Sequence, residues 1–200
     1  MNKKKLAIAL SKLKKVTSLN PAKEQYQTES ELAADFLWLA YTNRDIENKI
    51  IADLGSGNGI LGIGALLLGA KFVYFLESEA SAQEIAKENV LASCSEKNYE
   101  FISQDISLFN KNVDTVIMNP PFGVQKRKAD KVFLEKAMKH TDVIYSMHKI
   151  ESEQFINALC KERKFKVEEI VSKTFNIKKS YKFHAKPVHS FNIGFWVLKK

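Results

Sequence analysis

The segment VIMNPPFG (116–123) ends an apolar run in an asparagine, two prolines and a phenylalanine. Two prolines in succession fix the backbone dihedrals, so whatever precedes and joins them is held rigid at the end of a strand. The side-chain oxygen of Asn119 and the backbone carbonyl of Pro120 are two acceptors with a fixed separation. Two such acceptors gripping the hydrogens of a conjugated exocyclic amine would draw its nitrogen towards tetrahedral geometry and free its lone pair for attack. Phe122 offers a face for stacking on a base, Pro121 stiffens the corner, and Gly123 lets the chain turn away.

An amine made nucleophilic in this way needs an electrophile, and DLGSGNG (53–59) points to one. The glycines Gly55, Gly57 and Gly59 allow a tight turn and close approach of a ligand to backbone. The spacing is G-x-G-x-G with an acid two residues before it, Asp53, rather than the G-x-G-x-x-G of a pyrophosphate-binding turn. This pattern resembles the cofactor loop of class I S-adenosylmethionine-dependent methyltransferases. Glu77, at the end of the next strand, is placed to accept hydrogen bonds from ribose hydroxyls, and Asp105, after the third, to meet the adenine end. NPPF is likewise similar to the signature of amino-methyltransferases. That group acts on amines of nucleic-acid bases or on a protein glutamine amide. No metal is required for such a transfer, and the histidines are too scattered to suggest one.

These residues need a scaffold with its loops at one edge, and the hydrophobic pattern supplies it. Strands are predicted over 49–54, 71–77, 99–105, 113–119 and 142–147, and helices over 60–69, 79–92, 130–140 and 151–163. TESE (28–31) has the form of a capping box opening a further helix, and Leu6, Leu10, Leu13 and Val16 are spaced for a short amphipathic helix. Trp38 and Trp196 sit in apolar patterns and read as core. The runs at 165–175 and 189–198 form an antiparallel pair. The fold class is α/β, a Rossmann-like, mostly parallel sheet with helices on both faces and an antiparallel C-terminal strand pair. Every loop singled out falls at a carboxyl end of a strand, where such sheets bind ligands.

Two hundred residues suit one domain, 1–200, with 1–44 as an N-terminal helical segment, which the resemblance described below implies closes the cofactor site. No apolar run is long enough to span a membrane. Two cysteines far apart, Cys94 and Cys160, give no disulfide framework, and a cytoplasmic setting fits them. The net charge of +8 suits a nucleic-acid partner. Base is clustered at Lys126, Arg127 and Lys128, directly after NPPFG. In a second cluster, Lys178, Lys179, Lys182, Phe183, His184 and Lys186, base and aromatic residues interleave, as phosphate contact plus stacking requires.

Further stretches carry a closer resemblance: EQYQTESELAA (24–34), DIENKIIADLGSGNGILGIGALLLGA (45–70), DTVIMNPPFG (114–123), YSMHK (145–149) and SYKFH (180–184). Together they resemble the methyltransferase-like five family of small-subunit ribosomal RNA adenine-N6 methyltransferases, across nearly the whole chain. The resemblance implies methyl transfer from S-adenosylmethionine to an adenosine N6 amine. It places Gln25 and Thr28 in a segment closing over the cofactor, Gly55, Asn58 and Ile60 along it, and Asn119 to Phe122 around the target base. Tyr181 to His184 would lie near the substrate entrance, and His148 and Lys149 at the end of the fifth strand. It also implies a small zinc-containing activator protein covering an apolar edge of the sheet. Two departures stand out: Gln27 replaces a proline common in the family, and Glu77 stands where aspartate is common. Rival readings are an amino-methyltransferase of DNA adenine or of a protein glutamine, and a cofactor-binding scaffold without catalysis.

Overall fold

In a computed structural model, which describes residues 1–16, 28–121, 129–178 and 188–200, one sheet organises the chain. The elements in chain order are α1 (Lys3–Leu10), α2 (Ser30–Thr42), β1 (Ile50–Leu54), α3 (Ile60–Leu67), β2 (Phe72–Leu76), α4 (Ala80–Ser93), β3 (Tyr99–Ile102), β4 (Thr115–Met118), α5 (Ala129–His140), β5 (Val143–Lys149), α6 (Glu153–Arg163), β6 (Lys166–Lys178) and β7 (Val188–Lys199). The seven strands lie in the order β3-β2-β1-β4-β5-β7-β6. The first five run parallel, β7 returns antiparallel beside β5, and β6 pairs antiparallel with β7. The strand order reverses between β1 and β4, so their carboxyl ends flank the crevice such sheets use for ligands.

The central strands are buried on both faces, which is why they read as unbroken apolar runs. Ile51, Val73, Phe75, Ile117, Tyr145 and Phe195 face a core covered by α1, α2 and α3 with Val90 of α4. Ala52, Val116, Met118, Ile144, Trp196 and Leu198 face the opposite core under α5 and α6. Helix α1 begins where the Asn2 side chain accepts the Lys5 N–H, an N-cap bond. It is held by Lys3, which shares Asp35 of α2 with Lys173 of β6 at 2.7 and 2.8 Å.

Some expectations change. The capping box at 28–31 does not form: α2 has Glu29 at its N-cap with no side-chain bond, because the Thr28 hydroxyl is bonded elsewhere. Helix α1 stops at Leu10, so Leu13 packs from a turn and Val16 lies beyond the helix. Trp38 is only half-buried, tilted against Tyr41, while Trp196 is wholly buried. Strand β3 ends at Ile102, and a turn of 3₁₀ helix follows at Ile106–Leu108.

Helix α3 lies close against the sheet at Gly62, where an added Cβ would come within 2.2, 2.8 and 2.9 Å of three atoms of the Phe75 ring. A stiff, fully buried ring cannot yield that distance without shifting its neighbours. Gly62→Ala is expected to cost about 1–3 kcal/mol. Urea unfolding should show it as a lower midpoint at an unchanged slope.

Candidate functional site

Four strand ends converge on the crevice. At the first, the glycine loop leaves β1 with Gly55, Gly57 and Gly59 all at positive φ, between 55 and 84°. The Gly55 and Ser56 N–H groups donate to the Leu76 carbonyl, each at 2.9 Å, which ties the loop to β2. Asp53, 1% exposed, accepts the Gly62 N–H at 2.8 Å and so fixes the first turn of α3. Burial pushes its carboxyl up to about 7, against the lowering pull of the Gly62 bond and with added repulsion from Glu77.

Glu77 follows β2. One carboxylate oxygen accepts the Gly57 N–H and the other the Glu79 N–H, both at 2.9 Å. Each oxygen keeps a further lone pair, so the carboxylate is oriented by the loop while still able to accept hydroxyls. At Gly57 itself a Cβ would meet nothing within 4 Å among the described residues. This is an open cradle over a backbone turn, the feature a close-fitting ligand needs. Gly59 is different: a Cβ there would press on Ala86 and Ile63 at 3.3 Å, so it serves packing. Ile60 is buried. Asp105 lies at the third strand end with an exposed carboxylate. One oxygen accepts the Ser107 N–H at 2.9 Å, and hydrogen bonds from Ser107 hold the carboxyl below its usual range.

Asn58 is 5% exposed and bonded in an unexpected direction. Its side-chain N–H donates to the Lys14 carbonyl, which also accepts from Asn89 of α4, each at 3.0 Å. The Asn89 oxygen accepts the Lys14 N–H at 2.8 Å, and its amide nitrogen also donates to the Asn58 carbonyl at 3.0 Å. The N-terminal segment is thus laced to the glycine loop through Lys14. Nothing in the sequence signals this, because the partners lie 44 and 75 positions apart.

At the fourth strand end, Asn119 follows Met118, and Pro120 is buried with Pro121 half-buried beside it. The Asn119 amide nitrogen donates to the Thr28 hydroxyl at 2.9 Å. Its oxygen is buried and, among the described residues, has no hydrogen-bond partner. Thr28, expected along the cofactor, is found with its hydroxyl accepting from the Asn119 amide. Gln25, Phe122, Lys126, Arg127, Lys128, Lys179, Lys182, Phe183, His184 and Lys186 lie outside the described residues; Lys178 closes β6, and its side chain is likewise undescribed. Cys94 and Cys160 are free thiols, the latter pushed up to about 11 by burial.

Asp53 yields a pH prediction. An unfolded carboxyl titrates near ~3.9, and the folded one near 7. Between these values the folded state keeps a proton that the unfolded state has lost, so stability falls as pH rises through the window and levels off above it. Asp53→Asn keeps an acceptor for Gly62 without the charge. Relative to wild type, it should gain about 1.4 kcal/mol of stability per pH unit between pH 5 and 7 and no more beyond. Urea unfolding of both proteins from pH 5 to 8 measures the difference.

The comparisons with known proteins agree with this geometry. Residues 27–173 match the family model for the methyltransferase small domain. The zebrafish rRNA N(6)-adenosine-methyltransferase METTL5 is 35% identical over 86% of this chain and 86% of its own length. The Drosophila protein of that name is 32% identical, over 86% and 84%. A crystal structure of a candidate RNA methyltransferase from Pyrococcus horikoshii superposes with a TM-score of 0.91 at 41% identity, covering 100% of this chain and 98% of the other. With a matching family model across most of its length and relatives of this identity over 86% of it, the chain belongs to the methyltransferase small domain family, among the METTL5-type enzymes.

Proposed function

We propose that this enzyme transfers a methyl group from S-adenosylmethionine to the N6 amine of an adenosine in small-subunit ribosomal RNA. The observation that carries the reading is the buried Asn119 oxygen, left without a partner while its amide nitrogen is held by Thr28. A buried acceptor kept unpaired costs stability, and one aimed at an incoming amine returns that cost as preorganisation. The printed names of the relatives and the net charge of +8 support RNA as the class of substrate.

S-adenosylmethionine, when bound, supplies an electrophilic methyl on a sulfonium. The residues present fit it: an open cradle at Gly57, the Glu77 carboxylate for hydroxyls, Asp105 towards the adenine end, and Gly55, Asn58 and Ile60 along the turn, whose shape Gly59 supports by packing. Asp53 acts behind them by fixing α3. Asn119 Oδ1 and the Pro120 carbonyl accept the two amine hydrogens, and Pro121 keeps that carbonyl in place. Phe122 stacks on the base, which must leave its own stack to arrive. The acceptors counter the positive charge that develops on nitrogen, and the proton leaves afterwards to water. Catalysis is then mostly alignment of nitrogen, methyl and sulfur.

The same reading treats residues 1–200 as one methyltransferase domain, with 1–44 and Gln25 closing the site, and sets it in the cytoplasm. Among the described residues no helix is long and apolar enough to cross a membrane. The small zinc-containing activator is proposed for the open edge at β3. Leu91 before this strand and Leu108 after it are 70% and 60% exposed, an apolar surface suited to a protein partner.

Asn119→Ala is expected to lose about 100- to 1,000-fold in methyl transfer, with S-adenosylmethionine affinity by calorimetry nearly unchanged. Equal losses in rate and cofactor affinity would contradict the amine grip. The assay offers ribosomal RNA, duplex DNA and a glutamine peptide in parallel, and transfer only to DNA or peptide would replace RNA as the substrate.

Replacing Lys178, Lys179, Lys182 and Lys186 with alanine should weaken RNA binding and reduce the slope of log affinity against log salt by about 0.7–0.9 per lost phosphate contact. Phe183→Ala should weaken binding at an unchanged slope. Retention of both affinity and slope in the four-lysine variant would move the RNA surface to Lys126, Arg127 and Lys128.

A further inference from the structure

The backbone at Asn119 and Pro120 has left β4, whose last paired residue is Met118. On one side it is held by Thr28. The other side is the face covered by α5 and α6, and there the structure places a buried polar chain that the proposed chemistry does not use. Met118 pairs with Ser146 of β5, and His148, two residues on along β5, lies on the same face of the sheet as Ser146, just past the point where the chain leaves β4 for Asn119 and Pro120. Ser146 and His148 are both fully buried. Ser146 Oγ lies 2.6 Å from His148 Nε2, and His148 Nδ1 lies 3.8 Å from Asp130 Oδ2. Asp130 stands in the first turn of α5, the helix that brings the chain back from the corner.

A neutral imidazole satisfies both neighbours in one form only: the Ser146 hydroxyl donates to Nε2, and the ring proton on Nδ1 faces the Asp130 carboxylate. His148 Nδ1 and Asp130 Oδ1 are both buried without a hydrogen-bond partner among the described residues. The nearer carboxylate oxygen, Oδ2, stands 3.8 Å from Nδ1, and the ring proton is compensated when ring and carboxylate are drawn closer together. Apolar packing alone would be served better by a leucine than by this trio.

We propose that Ser146, His148 and Asp130 form a brace that docks the first turn of α5 onto the end of β5 and thereby fixes the Asn119–Pro120 acceptors. They are positioning residues, acting through the corner rather than on the substrate. The proposal rests on the amine-grip reading of Asn119. It explains why a histidine and a serine sit wholly buried in a strand whose other inward residues are apolar.

The test uses Asp130→Ala, His148→Leu and His148→Asn in the full chain. Asparagine keeps a donor near the position of Nδ1; leucine keeps bulk without it. Asp130→Ala and His148→Leu should each lower kcat by about 10- to 100-fold, the effect of misplacing a reacting group by about 1 Å, with S-adenosylmethionine affinity unchanged. The double variant should be no worse than the poorer single one, because either change breaks the same link. His148→Asn should keep more turnover than His148→Leu. Amide hydrogen exchange provides a readout independent of substrate: at Asn119 and in the first turn of α5 it should quicken in Asp130→Ala and His148→Leu and not in His148→Asn, with Gly57 unaffected. The brace is overturned by wild-type exchange at these positions in both disruptive variants, by leucine performing as well as asparagine, or by cofactor affinity falling in step with kcat. Wild-type enzyme that moves no methyl to RNA while the exchange pattern holds would instead remove the substrate reading and leave the brace standing.

Discussion

A primary amide has two ends, and in Asn119 only one of them is occupied among the described residues. The bond from its nitrogen to the Thr28 hydroxyl, 2.9 Å long, decides which way the amide points and so presents the oxygen as the free end. Without that bond the side chain could turn over and offer a donor where the chemistry wants an acceptor. Thr28 stands two residues before α2, and α2 packs across the sheet through Phe36 and Leu37, both fully buried. The orientation of a single amide thereby rests on the docking of a whole helical layer. The same layer reaches the cofactor side through Lys14, whose carbonyl is held by Asn58 and Asn89. The N-terminal elements therefore touch both the glycine loop and the Asn119 corner.

Electrostatics in the crevice is set by two neighbouring carboxylates, one of them buried. Asp53 and Glu77 repel one another, and Asp53 is wholly buried, so its carboxyl is pushed up to about 7. The fold accepts a protonated or strained carboxylate at rest because Gly62 binds it and because the start of α3 favours negative charge. The outer surface has the opposite character, with lysine in excess, which suits a polyanionic partner approaching a site whose inner wall is acidic.

What was legible in the chain divides along a physical line. The strand β1, the glycine loop, Glu77 and the NPP corner show themselves locally, because turn chemistry and buried parallel strands leave short-range patterns. Helix α3 was likewise readable from its apolar run and from Gly69, whose φ is 90°. The contacts that give those pieces their roles were not legible. Thr28 and Asn119 are 91 positions apart, and a threonine three residues before a glutamate reads as a helix cap until the long-range bond is seen to claim its hydroxyl. Strand order, which sets β1 against β4 and β5 against β7, is a property of packing rather than of periodicity. The close approach of Gly62 to Phe75 is equally invisible, since an isolated glycine in a helix ordinarily reads as a weakness.

The uneven distribution of unsatisfied groups has its own logic. Among the described residues the buried side-chain atoms without a partner are Ser56 Oγ, Gln83 Nε2, Asn119 Oδ1, Asp130 Oδ1, His148 Nδ1 and Trp196 Nε1. Each such atom costs about 1–3 kcal/mol relative to a paired one, so a random scatter would have been a poor solution for a domain of modest stability. Four of the six instead belong to the neighbourhood of the β4, β5 and β7 ends, since Gly194 pairs with His148 and its missing Cβ would touch Trp196 Nε1 at 2.6 Å. Local departures from full pairing are expected where function demands them. Here the apolar core beneath, with Trp196, Met118, Ile144 and Leu198 fully buried, is continuous enough to hold these groups in place. The corner is therefore the least satisfied part of the described molecule, built on a continuous, fully buried apolar core that keeps the unpaired groups both dry and still.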